Sequence, residues 1–569
     1  MSRRWHPHLA LLLSVPLSMG LACAGSGERD STFDESPQAQ SEEAGADTLA
    51  AALERAWADA GVEPSPLADD AEFIRRASLD LIGRVPTQGE VERFLASDRA
   101  DKRAALLDAL LASEAFAEHW AALWTDELLT KDKKGRRLAG EALEGYFAEA
   151  LTDNRPWSQV LRELLEGEGE LRDQPELAYI ASRNLRGQNK SEAVAELSST
   201  TARVFLGSRI ECAQCHDHPY VSEFTREDFW AQAAFFGRTR LEIDKDKDKP
   251  DSELMGDPAM AAGAKQKAKE KKKKNLEVRV GERRKGELRV ALGGDEDPRK
   301  QAITPRFLGA ADTRLDEQRP RRKQLAELII ADDRFAEATV GWVWTRLLGS
   351  GIVEPWDELL SPRERPELLS ILASDFRASD HDLRALIREI ALSPAYQRSS
   401  AGPQQSERDI ARAEASFARA RVRPLSAEQL FASLLTVTAL EQVGGRNFRR
   451  AVRAKKEAAL REYEFVFNDD EMAAADGFAG NVPQALLMLN GGLTNQGVVA
   501  REGSSLDRIL SEEASVDARL EDLWLTVYGR PPRAEELDFG REAVGSQRRE
   551  DWEDLMFAMI YSSEFSSNH

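Results

Sequence analysis

The sequence predicts a mainly α fold, two helical domains with a small β-hairpin insertion between them. Three observations predict it. Residues 48–195 and those from about 321 onward are dominated by Ala, Leu, Glu and Arg, all strong helix formers. Leu106, Leu107, Leu110 and Leu111 recur at the spacing of one helix face. Between the helical stretches, 276–280 and 287–292 alternate with period two around a turn at 281–286, which reads as a hairpin. The chain of 569 residues is long enough for several domains, and 42% hydrophobic content supplies a core. A formal net charge of -21 excludes nucleic acid as the main partner and electrostatic docking on anionic lipid.

Taken in order, residues 1–23 are a processing signal. Arg3 and Arg4 precede an apolar run from Leu9 to Ala22 that is too short to span a membrane. The run ends at Gly20-Leu21-Ala22-Cys23, which resembles a bacterial lipoprotein cleavage box. That resemblance implies that Cys23 is lipidated and anchors the mature chain to a membrane; ordinary secretory cleavage is the alternative. Either route exports the protein, to the periplasm or cell surface. Residues 24–47 are small, polar and acidic, the composition of a disordered tether. An N-terminal helical domain is expected over 48–240 and a C-terminal one over 303–569. Between them, 241–302 combines the hairpin with a charged insertion that opens with alternating Asp and Lys and ends in four lysines at 271–274, a mobile composition.

A weak internal repeat runs through both helical domains. Gly83-Arg84-Val85-Pro86 precedes Glu90, a leucine-rich helix, Ser113 and Phe116. Gly529-Arg530-Pro531-Pro532 precedes Glu535, an apolar helix, Ser562 and Phe565. A third copy, without the Gly-Arg-Pro opening, runs through 383–390 to Ser393 and Tyr396. Each is an amphipathic helix whose last turn is covered by an aromatic residue.

Cys212-Ala213-Gln214-Cys215-His216 carries the chemistry. C-x-x-C-H is the attachment sequence of a c-type haem: two thiols add to the porphyrin vinyl groups and the adjacent imidazole ligates the iron. The expected cofactor is covalent haem c, held by Cys212 and Cys215 with His216 as proximal ligand, and the expected activity is electron transfer with an unknown redox partner. Other readings stay open: a Cys212–Cys215 redox pair or disulfide, or zinc on Cys212, Cys215, His216 and His218. Axial candidates on the far face are His119, His381 and Met255, Met260, Met472, Met488, Met556 and Met559; His218 is too close in sequence to reach it. Arg203, Arg209, Arg238 and Arg240 are candidate propionate partners, and Phe224, Phe229, Trp230, Phe235 and Phe236 either wall a haem pocket or form ordinary core. The other functional class is a non-catalytic cell-envelope scaffold with a structural Cys212–Cys215 disulfide. No nucleophile elbow and no His-Glu-x-x-His is present, so an enzyme is neither implied nor excluded.

The stretch 73–87 (FIRRASLDLIGRVPT) and the run 205–220, with its C-A-Q-C-H-D-H core, resemble the planctomycete-type cytochrome-associated exported proteins, which carry paired domains of unknown function. Further echoes lie at 303–308, 349–354, 393–399, 423–430 and 481–490. The family's usual Asn-Arg-x-Trp reads Gly341-Trp342-Val343-Trp344 here. The resemblance spans about residues 50–565. It implies export and a two-domain architecture, and it carries the haem expectation over to Cys212, Cys215 and His216.

Overall fold

The computed structural model describes residues 48–129, 133–184, 190–222, 224–244, 277–292, 299–360, 364–404, 406–440, 497–512 and 514–569. The signal segment with Cys23, the tether, most of the charged insertion and the 481–490 echo lie outside the described residues. The fold is mainly α with small antiparallel sheets, as the composition predicts.

Ten helices precede the insertion: α1 (Leu49–Ala60), α2 (Asp70–Ile82), α3 (Gln88–Leu95), α4 (Lys102–Leu111), α5 (Glu114–Leu128), α6 (Lys133–Thr152), α7 (Trp157–Glu166), α8 (Ala178–Asn184), α9 (Lys190–Leu206) and α10 (Arg226–Ala233). Ten follow: α11 (Arg321–Ala331), α12 (Asp333–Leu348), α13 (Glu367–Ala378), α14 (Leu383–Leu392), α15 (Glu407–Ala415), α16 (Ala427–Thr438), α17 (Ser505–Ser511), α18 (Val516–Tyr528), α19 (Ala534–Ala543) and α20 (Arg549–Ile560). Most open on a capping side chain: Thr48, Asp69, Thr87, Ser113, Asp382, Ser426 and Ser515 each accept a first-turn backbone N–H that the helix itself cannot satisfy. Among the described residues no helix is long and apolar enough to cross a membrane.

The two expected strands form, but with other partners. β3 (Glu277–Glu282) pairs with β2 (Thr239–Asp244) on one edge and β1 (Gly169–Glu170) on the other. β4 (Leu288–Val290) pairs with β5 (Gln301–Ile303). The hairpin is therefore β2–β3, which closes around the charged insertion with Asp244 opposite Glu277. Alternation sets which face a strand buries but leaves its partner open. Here Val280 lies across from Leu241, and β1 occupies the remaining edge of β3, so β4 has none to join.

The core also divides elsewhere than at the insertion. One apolar cluster runs from Leu49 to Ala418. At its centre, Trp124 of α5 stacks on Trp342 of α12 at 3.7 Å, with Trp120 edge-on to Trp342 at 5.8 Å and Trp157 of α7 at 4.3 Å from Trp124. The helices on either side of the insertion thus share one interior. A second cluster gathers Leu425 to Phe565 and takes in Leu79 and Val85 from the N-terminal part.

The internal repeat is structural. Gly83, Gly349 and Gly529 each end a helix at positive φ (67°, 79° and 73°), the left-handed conformation glycine adopts without strain. Arg84 grips Glu90 through two bonds of 2.9 Å, and Arg530 grips Glu536 through two of 2.7 Å. In both copies the glutamate also accepts the backbone N–H at the start of the next helix, Thr87 or Arg533. The closing serine acts identically in all three. Ser113, Ser393 and Ser562 Oγ accept the N–H of Phe116, Tyr396 and Phe565 at 3.2, 3.3 and 3.1 Å, and all three rings are buried.

Candidate functional site: the C-x-x-C-H turn and the cleft beside it

The motif lies on a 3₁₀ turn, Glu211–Gln214, directly after α9. Gly207 makes the exit from α9 possible: its φ is 54°, and a Cβ there would meet Leu359 Cδ1 at 2.6 Å. A 3₁₀ turn has three residues per revolution, so residues three apart share a face. Ile210 and Ala213 share the buried face. Cys212 and Cys215 share an exposed one, and both are free thiols. Glu211 and Gln214 share the third, which looks into a cleft.

The loop after the turn is fixed by polar contacts. The Gln214 carbonyl accepts Trp230 Nε1 at 3.2 Å and Arg226 Nε at 3.1 Å, and Asp217 Oδ1 accepts the Arg226 N–H at 2.9 Å. His216 is exposed, and its Nδ1 lies 2.7 Å from the Asp217 carbonyl. A carbonyl only accepts, so Nδ1 carries the proton and Nε2 keeps its lone pair for a ligand. His218 is the reverse. Its Nδ1 accepts the N–H groups of Tyr220 (3.3 Å) and Val221 (3.1 Å), so its proton is on Nε2, which donates to the Arg209 carbonyl at 3.2 Å. Both nitrogens of His218 are consumed in clasping the loop. It is therefore no metal ligand here, and the four-ligand zinc arrangement does not assemble; among the described residues no His/Cys/Asp/Glu group is placed to hold a metal ion.

The donor set fits covalent haem attachment: two free, exposed thiols on one face of a rigid turn, followed by an imidazole with an open Nε2. Cys212 and Cys215 would hold the macrocycle and His216 Nε2 its iron. The other proposed contacts are elsewhere. His119 lies against Gly83, and burial pushes its pKa down to about 4. His381 packs between Phe335 and Phe376, each ring centre 5.2 Å away. Met556 and Met559 are buried in the C-terminal core, and Met255, Met260, Met472 and Met488 lie outside the described residues. The arginines are committed to carboxylates: Arg203 to Glu127, Arg209 to Asp357 at 2.7 Å, Arg238 to Glu317 at 2.8 Å and Arg240 to Glu242. Phe224, Phe229, Trp230, Phe235 and Phe236 are interior residues, none more than 5% exposed.

The cleft, of about 740 Å³, is what the sequence did not reveal. Its organising residue is Glu127, at the end of α5. Glu127 Oε1 accepts Arg203 from α9, while Oε2 accepts the Trp342 indole N–H at 2.9 Å and Arg346 Nη2 at 3.2 Å. Burial pushes the Glu127 carboxyl up, but the two guanidinium groups and the indole outweigh it and hold the group below its ordinary range. Glu211, across the cleft, goes the other way: desolvation, with nearby Asp357, raises its carboxyl above the ordinary value. Nothing in the run Trp124-Thr-Asp-Glu127 marks it in sequence; its partners come from helices about 75 and 220 residues away.

Comparison with known proteins assigns the two halves separately. No curated protein and no solved structure matches the chain. Residues 49–241 match PSCyt2, described as a protein of unknown function (DUF1549), and residues 321–544 match PSD1, described as a protein of unknown function (DUF1553). The first match holds the C-x-x-C-H turn, the second holds Trp342 and Arg346, and the Glu127 cluster bridges them: the chain is a paired DUF1549–DUF1553 protein.

Proposed function

We propose that this protein is an exported c-type haem protein that transfers electrons in the cell envelope, anchored through a lipidated Cys23. The observation that carries the reading is the His216 tautomer. The Asp217 carbonyl holds the proton on Nδ1 and leaves Nε2 open, the state an axial imidazole needs. The thiols support it by being free and facing the same way. When bound, the haem supplies a one-electron iron couple. The chain's own part is to hold the loop: His218 clasps it from within, and Arg226 and Trp230 tie down the Gln214 carbonyl.

The test is expression of the whole chain in a host with haem-maturation machinery. The expected result is a reduced α-band of the c type and an intact mass raised by one haem, both lost in Cys212→Ser/Cys215→Ser. Folded native protein without added tetrapyrrole overturns the assignment. A loss of two hydrogens instead identifies the disulfide-bearing scaffold.

A further inference from the structure

The cleft beside the motif has walls of both signs, and that restricts what it can hold. One wall is cationic: Arg203 and Arg346, both anchored on Glu127, are backed by Trp356 and Trp342 with guanidinium-to-ring distances of 5.9 and 5.1 Å. The other is anionic: Asp126, Glu192, Glu196 and Glu211. With Glu127 and Arg183 the lining counts five carboxylates against three arginines.

An anionic ligand meets the carboxylate wall and a chain of net charge -21. A cationic ligand meets the two arginines. A ligand whose groups are donor and acceptor at once satisfies both walls, because each hydroxyl can donate to a carboxylate and accept from a guanidinium. The cleft lies within the ~300–1,000 Å³ range of small-ligand sites. We propose that it is a binding site for a neutral polyhydroxylated ligand, a short saccharide, held by hydrogen bonds between the arginine wall and the carboxylate wall. This reading stands whether or not haem is attached at Cys212 and Cys215.

The test is calorimetric titration of the full mature chain with maltotriose, cellotriose and xylotriose, alongside trigalacturonic acid and glucosamine trisaccharide as anionic and cationic comparators. At least one neutral trisaccharide should bind more tightly than both charged ones. Glu192→Gln and Glu211→Gln, whose side chains are exposed to the cleft and hold no part of the core, should each weaken binding about tenfold, the worth of one hydrogen bond to a charged group. Circular dichroism of both variants should match the parent. Binding of no neutral trisaccharide overturns the proposal, as does preference for a charged comparator or affinity unchanged in both variants.

Discussion

Replacing Asp80 should cost more than any other single change on the surface of α2, and the structure gives the size. Asp80 is 6% exposed, yet it gathers four hydrogen bonds from three distant segments. Arg423 Nη2 reaches both oxygens at 2.8 and 3.1 Å, Asn568 Nδ2 donates at 2.8 Å, and Tyr396 Oη donates at 2.8 Å. Asp80→Asn turns one acceptor into a donor facing donors and strips Arg423 of its counter-charge. Removing one partner of a buried pair costs about 3–5 kcal/mol. The Arg423 side chain is 21% exposed, so water recovers part of that and the expected loss is about 3 kcal/mol. Urea unfolding of Asp80→Asn, Arg423→Met and the double variant measures it. The double variant should lose less than the two singles together, by at least ~1.5 kcal/mol, because it removes both charges. Strict additivity, or a single-variant loss below about 1 kcal/mol, would refute the reasoning. The same helix ties down the chain end a second way: Arg75 Nη2 donates to the carbonyls of Glu564, Phe565 and Ser567 at 3.0, 2.9 and 3.1 Å.

Three further outcomes are expected. Burial and the adjacent Asp375 carboxylate push the Glu389 carboxyl up to about 7, so folding favours its protonated form; that contribution is complete below the ordinary 4.5 and is lost as pH rises through 7. Glu389→Gln should therefore raise the melting temperature at pH 8 and leave it unchanged at pH 4; the gap is worth at most about 3 kcal/mol, and half-exposure reduces it to about 1 kcal/mol. A thermal shift equal at both pH values contradicts this. His218→Phe keeps a ring in place but removes all three loop bonds; it should cost about 2 kcal/mol in denaturant unfolding and lower haem incorporation further than the stability loss explains, and unchanged incorporation counts against the clasp. Replacing 245–276 with Asn-Gly should leave the melting temperature unchanged to within about 0.5 kcal/mol, because Asp244 and Glu277 already face each other across the ladder; loss of folding in that variant counts against the β2–β3 register.

Local signals were readable in the sequence wherever the cause was local. Helix content follows from composition, the C-x-x-C-H turn from five adjacent residues, and the repeat from the Gly-Arg…Glu and Ser-x-x-aromatic spacings that the structure realises as clamps and caps. What sequence could not supply was partnership. Val278 and Val280 read as a strand, but nothing in their alternation says that Thr239–Asp244 lies alongside. The charged insertion looked like a domain boundary, yet Trp342 and Trp124 stack across it, because an insertion inside a hairpin interrupts the chain without interrupting the core. Glu127 was one carboxylate among many until α9 and α12 brought it two arginines and an indole.

The fourth glycine of the Gly-Trp-Val-Trp departure shows how these levels meet. Where the family pattern carries Asn-Arg-x-Trp, this chain has Gly341 and Trp342. A Cβ on Gly341 would lie 3.6 Å from Trp356, so the small residue lets the 351–360 loop pack close against α12. That loop brings Asp357 to Arg209, and its Leu359 N–H to the Gly207 carbonyl at 2.6 Å, which is the hinge of the motif turn. Trp342, one residue on, turns its indole N–H to Glu127 and its ring to Trp124. Two neighbouring positions on α12 therefore act on opposite sides of one turn: Gly341 by way of the loop that holds Gly207, Trp342 by way of the carboxylate that sets the cleft. Because Cys212 and Cys215 face out from the same 3₁₀ turn whose Glu211 and Gln214 face in, a shift of α12 moves the thiols and the cleft together.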